Sequence, residues 1–288
     1  MAKYIGYVSI LVACSLWSIP SSAHAQAFIP HRVQIDNAKL EKQGLSLAGE
    51  AAQLARFEQI EPALLRAELA VKLAPQNDKV WWLLGSLYLQ NKEFDQAITT
   101  LNKAQTLNPK NAEVLFSLGS AKFQKKDYQG SINHYQAGLK LKPNYSGGLF
   151  DLGNAYYMLN KFPEAIAQFN LAVKQDQKFW PAINNIGLIK HQQGDISGAI
   201  QQWQTAVNID KKAAEPLLAL AIATYNKGEI QQGLKMGVSA LRIDPRYADL
   251  DFLKENLWGE RLLLEAKKFL GLPEIKSALQ QQREAPTP

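Results

Sequence analysis

Apolar and small residues recur along this chain at an interval of 34. Gly85, Gly119, Gly153 and Gly187 are spaced this way, each preceded by an aliphatic residue: Leu84, Leu118, Leu152 and Ile186. Four residues before each glycine stands a large apolar side chain, Trp81, Leu115, Leu149 or Ile183. Twelve residues after it stands a small one, Ala97, Ser131, Ala165 or Ala199, and seven further on another, Ala104, Gly138, Ala172 or Ala206. A bulky residue lies between the two small ones: Leu101, Tyr135, Phe169 and Trp203. Apolar positions three and four apart mark helices buried on one face. The polar stretches Asn91-Lys92, Lys125-Lys126-Asp127, Asn160-Lys161 and Gly194-Asp195 split each unit into two such helices. Pro109 and Pro143 close their units, because proline lacks the N–H that a continuing helix needs.

The phase extends both ways. Leu217, Leu220, Ala221, Ala240 and Pro245 continue it downstream, and Leu47, Ala51, Ala63, Ala70 and Pro75 upstream. This predicts six units without insertion: 44–77, 78–111, 112–145, 146–179, 180–213 and 214–247. One helix pair cannot bury its apolar face alone, so neighbours must stack into a continuous core. The small residues fall where helices cross closely and the bulky ones fill the space between.

The series Trp81, Leu84, Gly85, Tyr88, Phe94, Ala97, Leu101, Ala104, Pro109 resembles the consensus of the tetratricopeptide repeat (TPR) family. Six units of 34 extend the resemblance over 204 of the 288 residues. It implies an all-α fold, a right-handed superhelical solenoid of six helix-turn-helix repeats with a concave groove lined by the first helices. For function it implies a protein-binding scaffold, without naming the client.

After Asp244-Pro245-Arg246-Tyr247, a segment rich in leucine (Leu250, Leu253, Leu257, Leu262, Leu263, Leu264, with Phe269) has helical spacing. It predicts capping helices over 248–272 that cover the open end of the stack. Residues 273–288 read as a C-terminal helix and a polar tail, disordered from Gln280 to Pro288. The run Phe252-Leu253-Lys254-Glu255-Asn256-Leu257-Trp258-Gly259 resembles the end of a group of cyanobacterial TPR proteins linked to photosynthetic membranes, among them the protochlorophyllide oxidoreductase-interacting kind. That resemblance implies work in photosynthetic complex biogenesis or pigment synthesis.

Residues 1–25 have the form of an export signal: Lys3, an apolar run of 16 residues from Tyr4 to Ile19, then Pro20, Ser21, Ser22 and Ala23-His24-Ala25. Three readings are open. The segment is cleaved after Ala25, or kept as an anchor with Tyr4 and Trp17 near its ends, or lipidated at Cys14 within Leu11-Val12-Ala13-Cys14. Each places the protein in the periplasm or thylakoid lumen, or at the plasma or thylakoid membrane. Residues 26–43 read as a linker or short helix. Cys14 is the one cysteine, so cleavage leaves a mature chain without thiol or disulfide chemistry.

The net charge of +6, with Lys and Glu interspersed, describes a solvated surface and not a nucleic-acid footprint. Among His24, His31, His134 and His191 no metal spacing occurs, and neither HExxH, CxxC nor a glycine-rich phosphate loop is present. No catalytic residue, metal or cofactor is expected.

The groove is the candidate site. Trp82, Phe116, Phe150, Asn184 and Leu218 form one row along the first helices, and Leu89, Phe123, Tyr157, His191 and Tyr225 a second, seven residues on and two turns away on the same face. Trp82, Phe116, Phe150, Phe123 and Tyr157 are expected to form one continuous apolar patch. Ser86, Ser120 and Asn154 stand beside it, where they can hydrogen-bond a client backbone. Packing between repeats is the other role open to these rings. The chaperone-tail clamp of some TPR proteins is not matched: Asn154 and Asn185 fit in part, but Gly147, Phe150, Glu215 and Ala219 stand at the cation positions in the units that matter, with Lys79 in one other. Two function classes follow: a scaffold or assembly factor holding a peptide segment or amphipathic helix of a client at a membrane, and a structural subunit of an envelope or secretion complex.

Overall fold

Two of the repeats begin where a short polar side chain holds free helix N–H groups. The side chain of Asn77 accepts from Lys79 N, and that of Asn111 from Glu113 N and Val114 N. Asp127 and Asp195 do the same for second helices, each accepting from the amide of a glycine three residues on, Gly130 and Gly198. The structure, a computed structural model, describes residues 36–284. The segment read as an export signal, with Cys14, Ala25 and Gln26, lies outside them.

Six helix pairs follow in order: α1 (Asn37–Arg56) with α2 (Ile60–Leu73), α3 (Asp78–Gln90) with α4 (Phe94–Leu107), and α5 (Ala112–Gln124) with α6 (Tyr128–Leu141). Then come α7 (Ser146–Met158) with α8 (Phe162–Gln175), α9 (Trp180–Gln192) with α10 (Ile196–Ile209), and α11 (Ala214–Asn226) with α12 (Ile230–Ile243). No strand occurs among the described residues. We number the pairs repeats 1 to 6. Each pair packs internally and onto the next, and the core divides into clusters at successive repeat boundaries.

Two local devices recur. The turn between paired helices puts one residue in the left-handed region each time: Glu58, Lys92, Lys126, Asn160, Gly194 and Gly228. Its hydrogen bonds close the first helix, as where Asn91 N donates to Leu87 O at 2.9 Å and Glu93 N to Tyr88 O at 2.8 Å. The second device is the glycine of the first helix, which lies against the bulky residue of the second. A Cβ at Gly119 would stand 2.5 Å from the Tyr135 ring, one at Gly153 2.5 Å from Phe169, and one at Gly187 2.5 Å from Trp203.

The C-terminal part differs from expectation in two ways. A 3-10 turn (Pro245–Ala248), α13 (Leu250–Glu255) and α14 (Glu260–Leu270) follow repeat 6. α14 does not simply cap the open end of the stack; it packs against α9 and α11, the first helices of repeats 5 and 6. The cap on α12 is α15 (Pro273–Glu284). This helix continues through Gln280–Glu284, expected to be disordered, because Gln, Arg and Glu favour helix and no Gly or Pro interrupts them. No described helix is long and apolar enough to cross a membrane.

Candidate protein-binding groove

The first helices of repeats 1 to 3 enclose a concavity of about 430 Å³. Leu45, Ala48 and Ala52 of α1 form one wall, Lys79, Trp82 and Leu83 of α3 the other, and Asn111 and Glu113 close the end at α5. Lys79 is exposed, and Glu113 pairs with Lys142. This surface is apolar with one cation at its edge.

The same positions, followed at intervals of 34, are more buried in repeats 5 and 6 than in repeats 2 to 4, Phe116 and Tyr225 excepted. Ser86, Ser120 and Asn154 are half-buried, whereas their equivalents Leu188 and Ile222 are buried. Trp82 and Phe150 are half-buried, but Asn184 is 0% exposed and Leu218 0%. Leu89, Phe123 and Tyr157 are half-buried, and His191 is 1% exposed. The groove is open over repeats 1 to 3 and covered over repeats 5 and 6. The cover is the chain's own C-terminal segment.

The five rings expected to make one patch are divided among three repeat boundaries. Trp82 belongs to a cluster with Ala104 and Val114, Phe116 and Phe123 to a second, and Phe150 and Tyr157 to a third. Trp82 keeps the predicted position, lining the concavity while its indole N–H donates to Ser117 Oγ at 3.1 Å. Phe116 does not: it is 8% exposed and inserts between α6 and α7. The reason is local. Where Trp82 meets Ala104 and Val114, the corresponding neighbours of Phe116 are Gly138 and Gly148. The missing side chains leave room for the ring, which also packs on Tyr145 at 4.9 Å. Phe150 is held between Phe169 and Phe179, at 5.7 and 5.4 Å, and Phe123 meets the edge of Tyr128 at 5.3 Å.

The polar row is also engaged within the chain. Ser86 Oγ–H donates to Trp82 O at 2.9 Å, and Ser120 Oγ lies 3.2 Å from Tyr135 Oη. Asn185 Nδ2–H donates to Asn154 Oδ1 at 2.8 Å, and Asn184 Nδ2–H to Asn185 Oδ1 at 3.1 Å. In repeats 4 to 6 the predicted residues are met by the C-terminal segment. Tyr157 Oη–H donates to Leu257 O at 2.8 Å, His191 Nε2–H to Glu265 Oε2 at 3.0 Å, and Tyr225 packs edge-on against Phe269 at 5.4 Å.

Two acids on the wall escaped the sequence reading as functional groups. Burial pushes the Asp151 carboxyl, near Tyr135, up to about 7. Burial likewise pushes Glu215 up to about 7, against the opposing hydrogen bonds of Asn184, Trp258 and Tyr247. Trp258 Nε1–H donates to Glu215 Oε1 at 3.1 Å. For Asp151 the available signal was its place immediately after Phe150 in the ring row. Glu215 gave none, since its partners come from other elements.

The sequence model of the family described as "TPR repeat" matches residues 85–126, 119–160 and 187–228. Among solved structures, PilF of Pseudomonas aeruginosa is similar with a TM-score of 0.62 at 16% identity, over 76% of this chain and 99% of that one. A structure of MamA is similar with a TM-score of 0.52 at 24% identity, over 57% of this chain and 96% of that one. MamA of Desulfovibrio magneticus RS-1 gives 0.54 at 17% identity, over 62% and 97%. At these identities the likeness is one of fold. The chain carries TPR repeats and folds as a TPR solenoid.

Proposed function

We propose that this protein is a non-catalytic scaffold that holds a segment of a client protein in the open stretch of its groove, across repeats 1 to 3. The concavity between α1, α3 and α5 carries the reading. It joins an apolar wall to a half-buried indole and an exposed lysine, the combination that receives an apolar anchor with an acidic group beside it. Trp82 is the anchor contact and Lys79 the charge contact. Neither cofactor nor metal enters this function, and nucleic acid is not its ligand.

The finer reading places the protein in an exported compartment or at a membrane, on the strength of Lys3, the Tyr4–Ile19 run and Ala23-His24-Ala25. The Phe252–Gly259 run supports work in the assembly of photosynthetic membrane complexes or in pigment synthesis.

The test is crosslinking of the full chain in native membranes, then detergent solubilisation and mass spectrometry. Trp82→Ala with Lys79→Glu is expected to lower client recovery at least tenfold, about 1.4 kcal/mol, with far-UV circular dichroism unchanged. Undiminished recovery by the folded double variant would move the site off this groove.

A further inference from the structure

α14 lies across the inner face of repeats 5 and 6 as an amphipathic helix. Leu262, Ala266 and Phe269, at i, i+4 and i+7, are buried beneath it, while Leu264 on the far side is 63% exposed between Arg261 and Lys267. This is helix-in-groove recognition, with the occupant supplied by the same chain. Three anchors fix the register. Trp258, 3% exposed, enters ahead of the helix and donates its indole N–H to Glu215. Glu265, seven residues on, accepts from His191 Nε2 at 3.0 Å and from Asn226 Nδ2 at 2.9 Å. Phe269, four further, meets Tyr225 and covers Gly237.

The entry to this helix carries backbone strain and borders a cavity. Leu257 holds a φ of +65°, a conformation unfavourable to a residue with a branched side chain. A cavity of about 420 Å³ opens beside it, between Tyr157, Met158, Phe162 and Gln192 on one side and Leu257–Glu260 on the other. At that end Tyr157 Oη–H donates to the Leu257 carbonyl, beside the Trp258 anchor. The buried face of α14 also leaves its imidazole partner incomplete, since His191 Nδ1 is enclosed without a hydrogen bond.

We propose that the inner face of α9 and α11 is a second binding surface and that the segment Asp249–Leu270 is its displaceable occupant. Its ligand in trans is an amphipathic helix of the same chemistry. The required groups are an indole donor for Glu215, a carboxylate seven residues later for His191 and Asn226, and an aromatic ring four residues after that for Tyr225. Release of the strap extends the open groove from repeats 1 to 3 along the whole first-helix face. This rests on the reading of that face as a protein-binding surface.

The probe is a fluorescent peptide with the sequence of residues 249–272, titrated into the full chain. Weak binding is expected with the native chain. Binding at least tenfold tighter is expected when the strap alone carries Trp258→Phe and Glu265→Ala, changes that keep the apolar packing and remove both polar anchors. A peptide bearing the same two changes should bind neither chain. No binding of the unaltered peptide to the altered chain, or equal binding of both peptides, overturns the proposal. Hydrogen exchange on the native chain gives a second reading, independent of any variant. Amides of 250–270 should exchange through an opening that leaves α9–α12 protected, and exchange only together with those helices refutes a displaceable strap. Client recovery depends on Lys79 and Trp82, so failure there leaves the peptide titration unaffected and the two ideas fail separately.

Discussion

Replacing Phe116 with Ala should destabilise the protein by about 4 kcal/mol, the middle of the range for buried Phe→Ala changes. The ring is 8% exposed and its edge lies against Gly138 and Gly148. Neither glycine has a side chain that can move into the vacated volume, so the void persists at the boundary of repeats 3 and 4. Trp82→Ala removes a half-buried ring and one hydrogen bond to Ser117. It should cost about 2 kcal/mol from lost burial and that bond. Urea titrations of both variants measure the difference. Hydrogen exchange should localise the Phe116→Ala loss to α5–α7, since coupling in a solenoid passes between neighbours. A Phe116→Ala chain within about 1 kcal/mol of wild type, or one less perturbed than Trp82→Ala, would refute the reasoning from the two glycines. It also follows that a combined change of Phe116 and Phe150 measures stability, and that Trp82 is the informative position for recognition.

Gly153→Leu should cost about 1–3 kcal/mol by overpacking, since even its Cβ would press on Phe169, with protection lost in repeats 4 and 5 before repeats 1 and 2; uniform loss along the chain would contradict this. The Glu215 acid gives a pH signature. Its carboxyl, facing Asn184, Trp258 and Tyr247 with Asp244 and Arg246 beside that tyrosine, is raised from 4.5 to about 7. The stability it confers as a neutral acid is therefore complete below about pH 4.5 and lost as pH rises through 7, a difference of about 3 kcal/mol. Glu215→Gln should flatten the decline in denaturation midpoint between about pH 4.5 and 7, with Asp151 titrating alike in both chains; an unchanged slope would show that Glu215 does not hold its proton. Intact-mass measurement of the native protein is expected to give an N-terminus at Gln26, whereas a species retaining Met1 would indicate the anchor and a lipid on Cys14 the lipoprotein.

The repeat architecture was legible because each unit solves the same packing problem with the same residue types. The first helices α3, α5, α7, α9 and α11 begin at Asp78, Ala112, Ser146, Trp180 and Ala214, each 34 residues after the last. The candidate site was legible only in part. Position in the repeat assigned Trp82, Phe116 and Phe150 to one row, but whether a ring reaches the groove depends on its neighbours across the boundary. Two glycines draw Phe116 inward where Ala104 and Val114 hold Trp82 at the surface. The pairing of Trp258 with Glu215 has no periodic signal, since 43 residues and a change of direction separate them. Hydrophobic spacing predicts that α14 is amphipathic, but not which face of the stack it meets.

One row of the sequence nonetheless marks where the groove closes. Ser86, Ser120 and Asn154 are followed at the same spacing by Leu188 and Ile222. A polar side chain on an inner wall is compatible with solvent and with a bound backbone. An unpartnered leucine or isoleucine there would expose apolar area to water at a cost of about 25 cal/mol per Å². Both residues are instead buried, Ile222 completely. The change from Ser and Asn to Leu and Ile therefore coincides with the part of the wall that is covered. Because α14 covers it with a buried apolar face bordered by Glu265 and Arg261, the covering helix keeps a solvated outer side and a register fixed by polar anchors. Polar contacts also cross the fixed boundary of α7 and α9, through Asn154 and Asn185. On the covering helix the polar anchors select one register, so a strap that is displaced would return to the same place.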